Sequence, residues 1–299
     1  MSVSSRINLP KEVLILLPML TFFWGINWPF MKIGLQDIQV MDFRAINVSA
    51  SAVGFLIIAL IKKRTLLPTK RDWIGLIPAA MLNITAWNVM ILWGVSQMAS
   101  GRAAILGYTM PIWATLITVV VIKEKLAPRQ IVGLAAGMGA MLLLLVQDIR
   151  LIGQNPLGTA SCILAAFCWG AGTFFIRHYR FSLATSAMTA WLQGLGVLPI
   201  LVLAYLTADT DWGQVGWPAW TSLAYNSTIA GVLCYYAWYR IAGQVPIVVS
   251  TVSTLMIPVL GVFAGMVLLD EQPGVYEFSA LALVAVAVFF VVIPKRHAR

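Results

Sequence analysis

The sequence predicts an all-α integral membrane protein of ten transmembrane helices in two inverted-topology five-helix repeats. Three observations carry that prediction: the composition, the alternation of charge from loop to loop, and an internal repeat. Of 299 residues, 60% are apolar and 10% are charged, whereas soluble domains run about 45–50% apolar and about 25% charged. With a mean hydropathy of +0.87, the chain lacks the polar side chains to cover itself in water. At about 20 residues per span, its roughly 180 apolar residues supply about nine or ten spans and leave no room for a soluble catalytic domain. The apolar runs are continuous and much longer than the about ten alternating residues of an outer-membrane strand, so a β-barrel is excluded.

Taken in order, the spans fall at about 13–35, 43–61, 73–95, 101–122, 130–146, 158–177, 183–207, 217–239, 246–269 and 275–293. Each is bounded by charges, Pro, Gly or Asn. The first is too long, and too poor in a small-residue cleavage site, for a signal peptide, so it is expected to stay as a span. A net charge of +9 would suggest nucleic acid in a soluble protein. Here it reads as basic flanks on the cytoplasmic side, with no nucleic-acid partner. Placing the N-terminus inside puts 16 of the 20 Lys and Arg residues inside and leaves Lys32, Arg44, Arg102 and Arg150 outside. Among the acidic residues only Glu12, Asp72 and Glu124 fall inside. Both termini are therefore expected in the cytoplasm. Cys162, Cys168 and Cys234 lie in apolar runs without metal-ligand spacing and read as small apolar side chains.

The repeat is visible residue by residue. Trp24-Gly25 recurs as Trp169-Gly170, Phe30-Met31-Lys32 as Phe175-Ile176-Arg177, and Trp93 as Trp238. Pro111 and Glu124 recur as Pro258 and Glu271. Residues 1–147 thus form one copy and 148–299 another. Because five spans is an odd number, the second copy enters the membrane from the opposite side, an arrangement of secondary transporters with the substrate site at the repeat interface.

The stretches closing the fourth and ninth spans, Val121-Ile122-Lys123-Glu124-Lys125-Leu126-Ala127-Pro128 and Leu268-Leu269-Asp270-Glu271-Gln272-Pro273, resemble the drug/metabolite transporter superfamily, EamA type. Phe23-Trp24-Gly25 with Asn27 and Phe30 resembles that family's first span. The second copy departs from the pattern, with Asp270-Glu271-Gln272 in place of the usual Gly-Glu. The resemblance covers nearly the whole chain, and length and aromatic richness are similar to the YddG-like amino-acid exporters. It implies ten spans, two five-helix repeats, a bacterial inner-membrane location and outward movement of small metabolites.

No catalytic constellation, phosphate-cradling loop or metal-ligand spacing is visible, so neither an enzyme nor a cofactor is expected. No Asp, Glu or His lies near a span centre, which argues against a carboxylate proton relay and, with no central Lys or Arg, against a strongly anionic substrate. Lys32 and Arg177 lie near span ends, where they can snorkel. The centres carry rings and amides instead: Trp24 and Asn27 in the first span, Asn83 and Trp87 on one face of the third, Tyr108 and Trp113 in the fourth, Trp169 in the sixth, and Tyr235 and Tyr239 in the eighth. Helix packing accounts for any one of them equally well. Around a wet cavity they would suit a neutral or zwitterionic ligand with an apolar side chain. Trp73, Trp212, Trp217 and Trp220, at span ends, read as interface anchors.

Pro111 and Pro258 sit near the centres of the fourth and ninth spans, and each frees a carbonyl four residues back. A plain kink is one reading; a hinge beside the cavity is the other. Glu124 and Glu271 read as structural, at helix ends or paired with Lys or Arg. Gly133, Gly137 and Gly139 read as helix packing. The expected function is export of small neutral or zwitterionic metabolites, above all aromatic or large apolar amino acids, by alternating access, as a uniport, with membrane lipids and a small-molecule substrate as partners and the oligomeric state left open. Two alternatives stand beside it: a carrier of phosphorylated or nucleotide-linked substrates, which would need Lys32 or Arg177, and a lipid-handling protein or enzyme, which would need a polar cluster at an interface.

Overall fold

A computed structural model of the chain describes residues 11–123, 128–150, 156–179, 181–242 and 247–292. Among these, every regular element is helical. The first half holds α1 (Lys11–Gly34), α2 (Val40–Ile61), α3 (Lys70–Ala79), α4 (Trp87–Gln97), α5 (Ser100–Gly107), α6 (Met110–Ile122) and α7 (Pro128–Arg150). The second holds α8 (Pro156–His178), α9 (Thr185–Thr207), α10 (Trp217–Tyr225), α11 (Tyr235–Ala242), α12 (Ile247–Leu269) and α13 (Val275–Val292). A π-helical segment, Ala80–Ala86, joins α3 to α4, and a second, Asn226–Cys234, joins α10 to α11.

Among the described residues, six helical runs are long and apolar enough to cross a membrane, and shorter apolar helices follow at Ile131–Leu144, Met256–Leu269 and Val275–Ala287. Helix boundaries repeat as the sequence does: α9 begins 145 residues after α2, and the two π-helical segments begin 146 residues apart. Exits repeat as well. Lys123 (φ 57°) and Asp270 (φ 52°) take the left-handed conformation where α6 and α12 stop. That conformation cannot continue a right-handed helix and turns the chain out.

Starts are held by side chains. Gln39 accepts from the amides of Met41 (2.6 Å) and Asp42 (3.1 Å) at the head of α2. Thr69 and Asp72 form a reciprocal capping box on α3. The Asp72 carboxylate also accepts from the Ser182 amide at 2.9 Å, so one side chain closes a helix start and ties the two halves.

The halves interlock rather than stand side by side. α2 packs on α9, α7 on α13, α1 on α12, and α8 on both α4 and α6. The repeated Trp-Gly dipeptide explains two of these crossings. A Cβ at Gly25 would lie 2.5 Å from Leu260 Cβ on α12, and one at Gly170 would lie 2.7 Å from the Ala114 backbone nitrogen on α6. Glycine is required there because backbone and Cβ atoms, unlike side-chain tips, cannot swing away. The small residues of α7 serve the same end: Gly137 faces Ile112 and Ala287. Gly170→Ala is therefore expected to destabilise the protein by about 1–3 kcal/mol, read as a lowered unfolding midpoint in detergent.

Large apolar side chains cover the outside, among them Ile57, Ile61, Leu142, Leu198, Val202 and Val267, each at least 40% exposed. Such a surface needs lipid rather than water against it. The polar side chains go inward. Arg44, Asn47, Asn88, Gln193 and Asn226 are all buried.

Candidate functional site

Between the interlocked halves lies a cavity of about 120 Å³. Two helices line it with stripes at i, i+3, i+4 and i+7, the spacing of one helical face: Trp24, Asn27, Trp28 and Met31 from α1, and Arg44, Asn47, Val48 and Ser51 from α2. Trp87, Asn88 and Ile91 come from α4, Tyr108 and Met110 from either side of the α5–α6 break, Trp169 from α8 and Gln193 from α9. The second π-helical segment contributes Asn226, Ala230 and Gly231, and Tyr235 follows it.

The rings form a connected wall. Trp87 and Trp169 meet edge to face at 4.9 Å between centroids. Trp169 lies 6.5 Å from Tyr235, which lies 5.3 Å from Trp24. Trp28 and Tyr108 close another side at 6.3 Å. Offset and edge-to-face contacts of this kind hold the rings in place and leave π faces for a ligand.

Polar groups around the cavity divide into those already used and those left open. Wide π-helical turns disturb the usual hydrogen bonding, and neighbouring side chains take up carbonyls near them. Asn88 Nδ2 donates to the Ile84 carbonyl at 2.8 Å, Ser51 Oγ to Gly231 at 2.7 Å and Trp24 Nε1 to Ala230 at 3.3 Å. By contrast, Asn27 Oδ1 and Gln193 Oε1 are buried without a hydrogen-bond partner among the described residues.

Of the residues expected from sequence, Trp24, Asn27, Trp87, Tyr108, Trp169 and Tyr235 come together at the cavity. Asn83 does not line it. Its Nδ2 donates to the Trp169 carbonyl at 2.7 Å and its side chain packs on Gly172, so it braces α8 behind the wall. Trp113 also stands away, against Phe167 at 5.5 Å. Tyr239 belongs to α11, but its side chain lies outside the described residues, as does that of Pro111. Pro111 sits in the first turn of α6 rather than kinking a continuous helix, because α5 has already stopped at Gly107. Pro258 lies inside the unbroken α12, so the two proline sites differ.

The expectation of an uncharged pocket is corrected by Arg44, which lies on the wall with only 5% of its surface exposed. Position in the sequence concealed it, since a cation near the start of α2 reads as a membrane flank. Asn47, Ser51, Gln193 and Asn226 were also missed, though Arg44, Asn47 and Ser51 form a polar stripe in an apolar span, a signal legible at helical spacing. Lys32 does not snorkel. Its Nζ donates to the Val95 and Ser96 carbonyls at 2.9 Å each and so caps the end of α4. Glu271 holds the head of α5, accepting from the Ser100 amide at 2.5 Å and the Gly101 amide at 3.1 Å. Glu124 and Arg177 lie outside the described residues or have side chains that do.

Comparison with known proteins agrees with this architecture. The EamA-like transporter family profile matches twice, over residues 11–146 and 156–293. The uncharacterized transporter YoaV of Bacillus subtilis (strain 168) is 25% identical over 90% of this chain and 92% of its own. A protein of Escherichia coli K12 named probable amino-acid metabolite efflux pump is 21% identical over 89% and 90%. A solved crystal structure superposes with a TM-score of 0.64 at 14% identity, covering 92% of this chain and 94% of the other.

Proposed function

The chain belongs to the EamA-like transporter family, and from that premise we propose that it is an inner-membrane exporter of small neutral or zwitterionic metabolites, above all amino acids with aromatic or large apolar side chains. The observation that carries this reading is the ring-and-amide cavity between the halves. Flat apolar faces receive the side chain, and open hydrogen-bonding groups receive the polar end. The Escherichia coli relative supports the substrate class by its name.

In this reading the chain crosses the membrane ten times with both termini in the cytoplasm. Residues 1–147 and 148–299 are repeats of opposite orientation, and the cavity sits where they meet. Support comes from the recurring helix boundaries and from the pairing of helices across the halves. Alternating access is a rocking of the halves about the cavity. Its hinges are the α5–α6 break beside Pro111 and the α12 segment around Pro258. Net movement follows the substrate gradient, in keeping with spans that carry no Asp, Glu or His near their centres.

Proteoliposomes test both parts. Vesicles preloaded with labelled phenylalanine should release it saturably with no imposed pH gradient. Release that requires such a gradient would overturn the uniport. No release of any amino acid would overturn the substrate class.

A further inference from the structure

We propose that Arg44 is the receptor for a substrate carboxylate and that the Asn27 and Gln193 amide oxygens receive the ammonium group of the same molecule. The inference rests on the carrier reading above and deepens it, by naming the residues that receive the two charged ends of the amino acid. It starts from a buried cation with no counter-charge among the described residues. Arg44 Nε donates to the Asn88 carbonyl at 3.2 Å, Nη1 to Asn47 Oδ1 at 3.1 Å, and Nη2 faces Met31 Sδ at 3.1 Å. A guanidinium has five N–H donors, and one of these acceptors is a thioether, which is weak. No carboxylate lies within ion-pairing distance of Arg44 among the described residues. Asp42, its nearest acidic neighbour in the sequence, accepts instead from Thr210 Oγ1 at 2.5 Å.

A charge buried in this way is expensive unless something pairs with it. The contacts to Asn88 and Asn47 aim the guanidinium but do not neutralise it. Planar, forked N–H donors match a carboxylate in two parallel hydrogen bonds. In the lining of the same cavity, Asn27 Oδ1 and Gln193 Oε1 have no donor among the described residues, and Gln193 is only 3% exposed. An ammonium group brings three donors and no acceptor. A neutral sugar or alcohol would leave the cation unpaired. A phosphate dianion would call for a second cation, and Lys32, the other basic side chain near the α4 end, is committed to two carbonyls.

The test uses purified full-length protein and four probes measured by ligand-induced thermal shift and calorimetry: L-phenylalanine, L-phenylalaninamide, 3-phenylpropionate and inorganic phosphate. Wild-type protein should bind phenylalanine about 10–100-fold more tightly than the amide, the scale of one charge-assisted hydrogen-bonded pair. Phenylpropionate, lacking the ammonium group, should also be weaker. Arg44→Gln should erase the preference for acid over amide, and Arg44→Lys should restore part of it. Asn27→Leu should lower affinity for phenylalanine while leaving phenylpropionate unchanged. Wild-type protein that binds phenylalanine and its amide equally would overturn the Arg44 assignment even if R44Q fails to fold. So would an R44Q protein that keeps the wild-type ratio, and both results leave the carrier reading standing. Preference for phosphate overturns the carboxylate. Silence of the wild type to all four probes overturns the substrate class itself.

Discussion

Glu277→Leu is expected to destabilise the folded protein by about 3–5 kcal/mol. The Glu277 carboxylate meets Arg102 Nη1 at 3.1 Å, with the two side chains 12% and 6% exposed. Arg102 Nη2 also donates to the Leu144 carbonyl at 2.6 Å. One guanidinium thus ties α5 to α13 and to α7, and the leucine takes the Glu277 carboxylate away from a buried charge. Glu277 further accepts from the Gly274 amide at 2.9 Å at the head of α13, so a helix cap is lost too. Unfolding in mixed micelles, followed by tryptophan fluorescence, measures the loss. The paired change Arg102→Met with Glu277→Leu should recover most of it, because removing both charges removes the desolvation cost along with the attraction. A single-variant loss below about 1 kcal/mol, the value for an exposed pair, would mean that water reaches these side chains.

Trp169→Ala is expected to lower phenylalanine transport about tenfold or more, with the protein still folded in the membrane. Trp169 joins Trp87 to Tyr235, so its removal breaks the ring wall at its centre. A ligand ring would lose an aromatic partner worth about 0.5–1.5 kcal/mol beyond the buried area, and the area term adds to it. Trp169→Phe should keep most of the rate. Trp24→Ala and Trp87→Ala should weaken transport in the same direction. The readout is initial efflux from proteoliposomes at matched protein incorporation. Wild-type rates in all three alanine variants would place the site elsewhere.

The ring wall was legible in the sequence because Trp and Tyr at mid-span have no interfacial role, and Trp24 and Trp169 recur at the same point of each repeat. Asn83 and Trp113 looked no different from their neighbours, yet Asn83 turns to a backbone carbonyl of α8 and Trp113 to Phe167. Pro111 and Pro258 looked equivalent, but one opens a new helix and the other rides inside a continuous one. The fates of Asn83 and Trp113 depend on partners far away in the chain.

The apolar runs and the charge bias of the loops are properties of consecutive residues. Transfer into lipid adds up over about 20 neighbours and needs no knowledge of any other segment, so the sequence alone determined them. The charge of the cavity was decided only when α1, α2 and α4 came together. Arg44 stands in the second turn of its helix, where hydropathy reads a membrane flank. It became a buried cation, with no carboxylate beside it among the described residues, because Met31, Asn47 and Asn88 closed over it. Which face of a helix turns inward is set by the helices packed against it, and those lie tens of residues away.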